Sequence, residues 1–331
     1  KNKFYAMKSY ILYFFLICFM SCHRTEKPVN LIFDTDMAPD YDDVGALALL
    51  HALADSGEVN ILATISSNKC ATAVPCIDVI NTYFGRPDIP IGAVRGEAAD
   101  RTTWHSGLRW TDELPMKYPH RILTTADSED ALKLYRRALA QQSDQSVTIV
   151  TVGFFSNLQN LLLSEPDEIS PLSGKELIKK KVKQLVSMAG SFPEGREFNI
   201  YVDVKASQFV IREWPTPILF SGFEIGSQIF TGKKLMESGI RNNPIVDTYT
   251  MCLPQDNPNG RDSWDQTATL VAVRGASKYF DVENGTIIIH DDGSNSWKKD
   301  SNGQHARLIF KMPKEQLTAE IEDLMLHLPR N

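Results

Sequence analysis

The chain has 331 residues, 43% of them hydrophobic and 23% charged, with 19 Gly and 17 Pro. These proportions exclude collagen, low-complexity disorder and a multi-span membrane protein, and the length suits one large α/β domain or two ordinary ones without disulfide staples. With 35 Lys+Arg against 41 Asp+Glu the net charge is −6. That balance gives no basic footprint for nucleic acid and no docking on anionic lipid by charge alone.

Met7-Lys8 opens a short positive stretch, and Tyr10 to Met20 is almost wholly apolar and aromatic. The apolar run is about half of the roughly 20 residues a bilayer span needs, so residues 1–21 read as an export signal. Ser21-Cys22 resembles the small-residue-then-Cys site of bacterial lipoproteins, with Phe19 where Leu is usual. The expectation is an exported protein, in the periplasm or on the outer membrane as a lipoprotein. Residues 22–28 would be its tether, and a lipid on Cys22 its only membrane contact. Residues 29–331 read as a single catalytic domain. Cys70, Cys76 and Cys252 form no CxxC pair and are expected as free thiols, not as zinc ligands.

Val29 to Phe33 is an apolar strand ending in Asp34-Thr35-Asp36, and Asp42-Asp43 then opens a helix at an end where the macrodipole favours acids. Strands follow at Val59–Ser66, Ile89–Val94, Val147–Val152, Gln184–Ala189 and Thr216–Ser221. Helices are expected between them, around 72–84, 128–142 and 203–213. Strands alternating with helices predict a doubly wound, mostly parallel α/β sheet, whose ligands bind outside the carboxyl ends of the strands. Asp100 to His120 lacks clear periodicity and reads as a functional flap holding Trp104, His105 and Trp110. The tail predicts a small β-ribbon (Gly285–Asp291 and Arg307–Lys311). A final helix follows, with Leu317, Ile321, Leu324, Met325 and Leu328 along its apolar stripe.

Asp34, Asp36, Asp40, Asp42 and Asp43 place five carboxylates within ten residues, and no Lys or Arg occurs from Asn30 to Asn68. Like charges at that density repel unless a cation sits among them, and oxygen-only donors suit Ca²⁺ or Mg²⁺. An EF-hand is excluded, because the twelfth position counted from Asp34 is Gly45 instead of Glu. Further polar signals stand at element ends: Asn68; Val152 to Asn157; Glu197-Phe198-Asn199 with Asp203 as a helix N-cap; and Ser263-Trp264-Asp265.

Together these motifs resemble the inosine–uridine-type nucleoside hydrolases over about Val29 to Arg274. Asp34, Asp36, Asp42 and Asp43 match that family's first loop, Asn68 its next strand end, and Val152-Gly153-Phe154-Phe155-Ser156-Asn157 its Thr-Gly-Pro-Leu-Thr-Asn turn. Glu197-Phe198-Asn199 with Asp203, and Asp265, complete the set. Three departures stand out: Asp36 and Asp42 are two residues farther apart than usual, with the usual Gly absent and Asp40 added; Val152 replaces Thr; and Trp264 replaces a His.

The resemblance implies a nucleoside-hydrolase-type Rossmann-like fold and metal-assisted hydrolysis of the N-glycosidic bond of a small-molecule ribonucleoside. It implies one Ca²⁺ held by Asp36, Asp43, Asp265 and the Val152 carbonyl, with Asp36 also taking the proton of the attacking water. Asp42, Asn68, Glu197 and Asn199 would grip the ribose, and Trp264 would stack on the departing base, favouring purines. No nucleic-acid partner is expected, and homo-oligomerisation is left open. Two rivals stand beside this reading. One is a haloacid-dehalogenase-type phosphatase with Asp34 as nucleophile, although Ala38 departs from its motif. The other is a non-catalytic lipoprotein that captures nucleosides or sugars.

Overall fold

Short apolar runs between polar turns set the strands of this fold. The computed structural model describes residues 27–330 except Ser106 and Leu108. The expected export signal and Cys22 lie outside the described residues. Thirteen strands occur among the described residues: β1 (Val29–Thr35), β2 (Val59–Ser66), β3 (Ile91–Ala93), β4 (Glu129–Asp130), β5 (Val147–Thr151), β6 (Val182–Met188), β7 (Glu194–Gly195), β8 (Ile218–Ser221), β9 (Phe230–Thr231), β10 (Arg261–Asp262), β11 (Phe280–Ile289), β12 (Asn295–Lys299) and β13 (His305–Phe310).

Eleven of them build one sheet in the order β4-β3-β2-β1-β5-β6-β8-β13-β11-β12-β7. The run from β4 to β13 is parallel, and β11, β12 and β7 extend it antiparallel. The doubly wound α/β fold expected from the sequence is therefore present. The C-terminal ribbon is larger than expected, three strands instead of two, and it is joined to the main sheet through β13 beside β8. Residues 100–120 are less of a loop than expected, because a short helix occupies Trp110–Lys117.

The helices are α1 (Asp42–Asp55), α2 (Ala73–Tyr83), α3 (Trp110–Lys117), α4 (Ala131–Ala140), α5 (Ser156–Leu163), α6 (Gly174–Lys181), α7 (Phe198–Val202), α8 (Val204–Glu213), α9 (Phe223–Gly226), α10 (Lys233–Glu237), α11 (Pro244–Cys252), α12 (Trp264–Arg274) and α13 (Lys314–Met325). None of the described helices is long and apolar enough to cross a membrane. Both faces of the sheet are covered. Leu31 and Phe33 of β1 face a core shared with α1, α12 and α13, whereas Ile32 faces a second core shared with α4, α5 and α8. Burial on both faces explains why β1 reads as a continuous apolar run without alternation. On α13, Leu317, Ile321 and Met325 are buried as expected, but Leu328 lies past the helix end and is half exposed. Cys70, Cys76 and Cys252 are buried free thiols, as expected.

The packing of α1 against α12 and α13 fixes where the acidic N-terminus of α1 points. Gly45 is at the contact: a Cβ there would lie 2.4 Å from the Tyr249 hydroxyl, 2.5 Å from Gln266 Nε2 and 2.8 Å from Met325 Cε. On an exposed helix Gly→Ala stabilises by about 1 kcal/mol, whereas overpacking a tight core costs about 1–3 kcal/mol. Gly45→Ala is therefore expected to lower stability by up to about 2 kcal/mol in denaturant unfolding. A variant at least as stable as the wild type would contradict this close approach.

Candidate active site

The order of strands reverses between β1 and β5, since the chain winds outward from β1 through β2 to β4 and from β5 through β6 to β8. Crevices open at such reversals, beyond the carboxyl ends of the strands. Asp36 leaves β1 there, and Val152 leaves β5 beside it, with the Val152 N–H donating to the Asp34 carbonyl at 2.8 Å. Gly153 permits the approach, because a Cβ would lie 2.3 Å from the Asp36 nitrogen. The loop from Asp36 to Tyr41 carries Ala38 at φ 135°, a backbone region that favours glycine. This is the loop in which the sequence lacks the Gly usual in the family it resembles.

Two helix starts complete the centre. Asp42 and Asp43 begin α1, and Asp265 sits in the first turn of α12. The Asp265 N–H points at the Asp42 carboxylate at 3.4 Å, tying the two helix ends together. One carboxylate oxygen from each of Asp42, Asp43 and Asp265 lies within 4.8 Å of the others, and all three residues are buried. The Thr35 hydroxyl donates to Asp43, and its oxygen also accepts from the Met37 N–H at 3.0 Å. Asp36, Asp42, Asp43, Asp265 and Val152 all line one cavity of about 260 Å³. That is just below the about 300–1,000 Å³ usual for small-molecule clefts, and it suits a compact ligand.

Burial dominates the electrostatics. It pushes the carboxyls of Asp36, Asp43 and Asp265 well above the ordinary carboxylate range, and their mutual repulsion adds to the effect. Asp42 is raised less, to about 6, because the Arg261 guanidinium opposes burial. Arg261 is the compensating charge that the sequence reading missed. It is 5% exposed, and its guanidinium lies 2.8 Å from Asp40, 3.4 Å from Asp42 and 3.1 Å from Asp256, with Trp264 5.0 Å below its plane. The expectation that a metal ion alone would balance the cluster is thus corrected for Asp40 and Asp42. Asp40 is also held by the Trp104 indole N–H at 2.9 Å, so both partners of this added carboxylate are side chains. No Lys or Arg among the described residues forms an ion pair with Asp36, Asp43 or Asp265.

Opposite this centre, Glu197 caps α7: its carboxylate accepts from the N–H groups of Asn199 (2.7 Å) and Ile200 (3.3 Å), and from Gly190 (3.1 Å). Burial nevertheless raises it to about 7. Asn199 donates its amide to the Val152 carbonyl (3.2 Å) and the Met188 carbonyl (3.1 Å). Both residues line the cavity. Trp264 does too; its N–H donates to the Phe223 carbonyl at 2.8 Å, and its ring lies 5.2 Å from that of Phe223. Gly226 seats it, since a Cβ would lie 2.3 Å from Trp264 Cα.

Asn68 is the one expected substrate contact that does not line the cavity. Its amide donates to the carbonyls of Asp36 (2.9 Å) and Arg101 (2.8 Å) and accepts from the N–H groups of Cys70 and Arg101. It clamps two loops from behind. Asp203 stands at the start of α8 as expected, but its carboxylate reaches Ser156 and does not cap α8. Trp110 and His105 are buried outside the cavity, and Trp104 is half exposed beside Asp40. Asp34 is fully buried behind the centre, held by the Tyr135 hydroxyl at 2.7 Å and the Asn157 amide at 3.1 Å, and burial raises it to about 7.

Comparison with known proteins adds an independent line. The family described as inosine-uridine preferring nucleoside hydrolase matches residues 31–317. A pyrimidine-specific ribonucleoside hydrolase of Salmonella agona (strain SL483) is 32% identical over 210 residues, which are 59% of this chain. The match spans 60% of that relative's length. Among solved structures, a purine-preferring ribonucleoside hydrolase from Gardnerella vaginalis superposes with a TM-score of 0.67 at 16% identity, covering 89% of this chain and 99% of that one. An inosine-uridine preferring nucleoside hydrolase from Bacillus anthracis gives 0.66 at 17% identity, covering 90% and 99%. These two share the fold.

The buried carboxyls predict an unusual pH dependence. The folded values of Asp34, Asp42 and Glu197 all exceed their unfolded ones, so the folded state binds more protons from about pH 4 upward. Stability is therefore lost as pH rises through about 6–7. Chelator-treated protein is expected to melt at a lower temperature at pH 8 than at pH 5. A divalent cation held by these carboxylates, at a hundredfold over its Kd, should return about 2.7 kcal/mol. Thermal unfolding with and without Ca²⁺ checks this; a metal-free Tm that rises toward pH 8 would contradict it.

Proposed function

Because the chain belongs to the inosine-uridine preferring nucleoside hydrolase family, we propose that it hydrolyses the N-glycosidic bond of ribonucleosides, purine ribosides foremost. The observation that carries this reading is the convergence, in one cavity, of four buried aspartates, two further polar groups of α7 and its cap, and an aromatic wall. Donor chemistry fits a hard dication: every candidate ligand is an oxygen, and Asp36, Asp43 and Asp265 have no paired base among the described residues. Asp36, Asp43, Asp265 and the Val152 carbonyl would hold Ca²⁺. Bound there, the ion would lower the pKa of water and so make a nucleophile available at neutral pH.

The remaining work falls to the side chains. Asp36, at the end of β1 and lining the cavity, would accept the proton of the attacking water. The sugar gains oxocarbenium character as the bond to the base breaks, and the carboxylates of Asp42 and Glu197 face it in a cavity where charge is poorly screened. Asp42 is held in place for this by Arg261 and by the N-terminus of α12. Asn199 keeps its amide oxygen for a sugar hydroxyl, its N–H₂ being used on two carbonyls.

Trp264 cannot hand a proton to a departing base, since its indole N–H is not acidic and is committed to the Phe223 carbonyl. With Phe223 it offers a face for stacking, worth about 0.5–1.5 kcal/mol beyond burial, and a purine uses that face more fully than a pyrimidine. The phosphatase alternative loses its nucleophile: Asp34 is buried, doubly hydrogen-bonded and outside the cavity. Export with a lipid on Cys22 belongs to the same proposal and rests on residues 7–22 of the sequence.

Two outcomes are expected. Asp36→Asn should keep its fold by circular dichroism while kcat for inosine falls by about 10²–10⁴, the usual worth of general acid–base catalysis. Retained turnover would remove Asp36 from the proposed role. Trp264→Ala should lower kcat for inosine more than for uridine. A wild type that prefers uridine, or equal losses on both substrates, would refute the stacking role.

A further inference from the structure

We propose that Arg196 recognises a phosphate carried on the exocyclic arm of the sugar, so that nucleoside 5′-monophosphates are the preferred substrates. This rests on the hydrolase reading above and deepens it. Among the described residues Arg196 is the only basic side chain lining the cavity, and the other charged lining groups are all carboxylates. Among the described residues no carboxylate comes within ion-pair distance of it, unlike Arg261, which is spent on three aspartates.

The guanidinium is held as if for a ligand. Its Nε donates to the Asp292 carbonyl at 2.9 Å, and its plane lies 4.1 Å over the Tyr201 ring. Among the described residues those two contacts leave both Nη groups without a protein partner. Tyr201 is itself seated by the turn that supplies the carbonyl: Gly293 adopts φ +79°, and a Cβ there would lie 2.6 Å from Tyr201 Cβ. The loop bearing Arg196 is pinned to the same C-terminal strands, through the Ser191 N–H to Asn295 Oδ1 (2.9 Å) and the Trp297 N–H to the Pro193 carbonyl (2.7 Å). A planar fork with two free edges, fixed by stacking and by one backbone bond, suits bidentate recognition of phosphate.

Position selects the sugar over the base. Arg196 is the chain neighbour of Glu197, and Tyr201 lies one turn farther along, so both extend the wall that carries Glu197 and Asn199. Trp264 and Phe223 form the aromatic wall. With the anomeric carbon at the aspartates, the part of a riboside that reaches the exposed rim along the sugar wall is its 5′ arm. A phosphate there would be repelled by the carboxylate centre, and Arg196 is the group that offsets the repulsion.

The test compares inosine with inosine 5′-monophosphate in wild type and Arg196→Gln, both Ca²⁺-loaded, with competitive inhibition by ribose 5-phosphate and by ribose as a second readout. Charge-assisted bonds to a guanidinium predict a kcat/KM for the monophosphate at least tenfold above that for inosine. They also predict that Arg196→Gln shrinks this ratio at least tenfold, and that ribose 5-phosphate inhibits the wild type more strongly than ribose does. Inosine turnover with no advantage for the monophosphate, or a ratio untouched by Arg196→Gln, overturns this inference and leaves the hydrolase reading standing. Release of base from neither compound overturns both.

Discussion

Four buried aspartates brought together by two strand ends and two helix ends are the constraint on which the rest of this structure depends. In a low-dielectric crevice such charges repel strongly and are costly to desolvate. Arg261 relieves part of this load, at Asp40 and Asp42. Asp36, Asp43 and Asp265 line the same cavity without such a partner among the described residues, and Asp43 and Asp265 lie together with Asp42. A fold keeps such an arrangement when a cation or a reaction uses it, because a solvated acidic loop would have needed no burial.

Much of the surrounding architecture serves to hold that arrangement. Thr35 bonds Asp43 from the end of β1, Gly153 lets the turn after β5 touch Asp36, and Asn68 locks the Asp36–Met37 loop to residues 99–103. Gly45 allows α1 to lie close on α12 and α13, which brings Asp42 within reach of the Asp265 N–H. The antiparallel strands at the far end of the sheet contribute as well. Their turn and edge fix the loop of Arg196 and Glu197, so the C-terminal quarter of the chain shapes the rim of the cavity.

The parallel core of the fold was legible because its strands are buried on both faces and read as apolar runs, and because Asp-rich turns follow them. Asp36, Asp43 and Asp265 were legible for a local reason: each stands at the end of a strand or the start of a helix. Asn68 looked the same from sequence but turns its amide to backbone, a distinction made only by which loop lies across it. Arg261 was missed because Asp40 and Asp42, the cluster members it pairs with, are more than two hundred residues away, and locally only Asp256 and the following Ser263-Trp264-Asp265 stand near it. The middle strand of the C-terminal ribbon escaped notice because Asn295–Lys299 is polar and alternates weakly, and its pairing with β7 is decided by long-range contacts. The short helices of 223–252 were not anticipated at all. Their lengths, of four to nine residues, leave too little periodicity to detect.

The central claim is that the residual carboxylates exist to hold a hard dication for hydrolysis of an N-riboside. Its most direct test is ribose release from inosine by protein stripped with chelator and then titrated with Ca²⁺. The account predicts no turnover in the stripped protein and recovery that saturates at one Ca²⁺ per chain. Full turnover after stripping, or a calcium-loaded protein that binds inosine without releasing ribose, would contradict it.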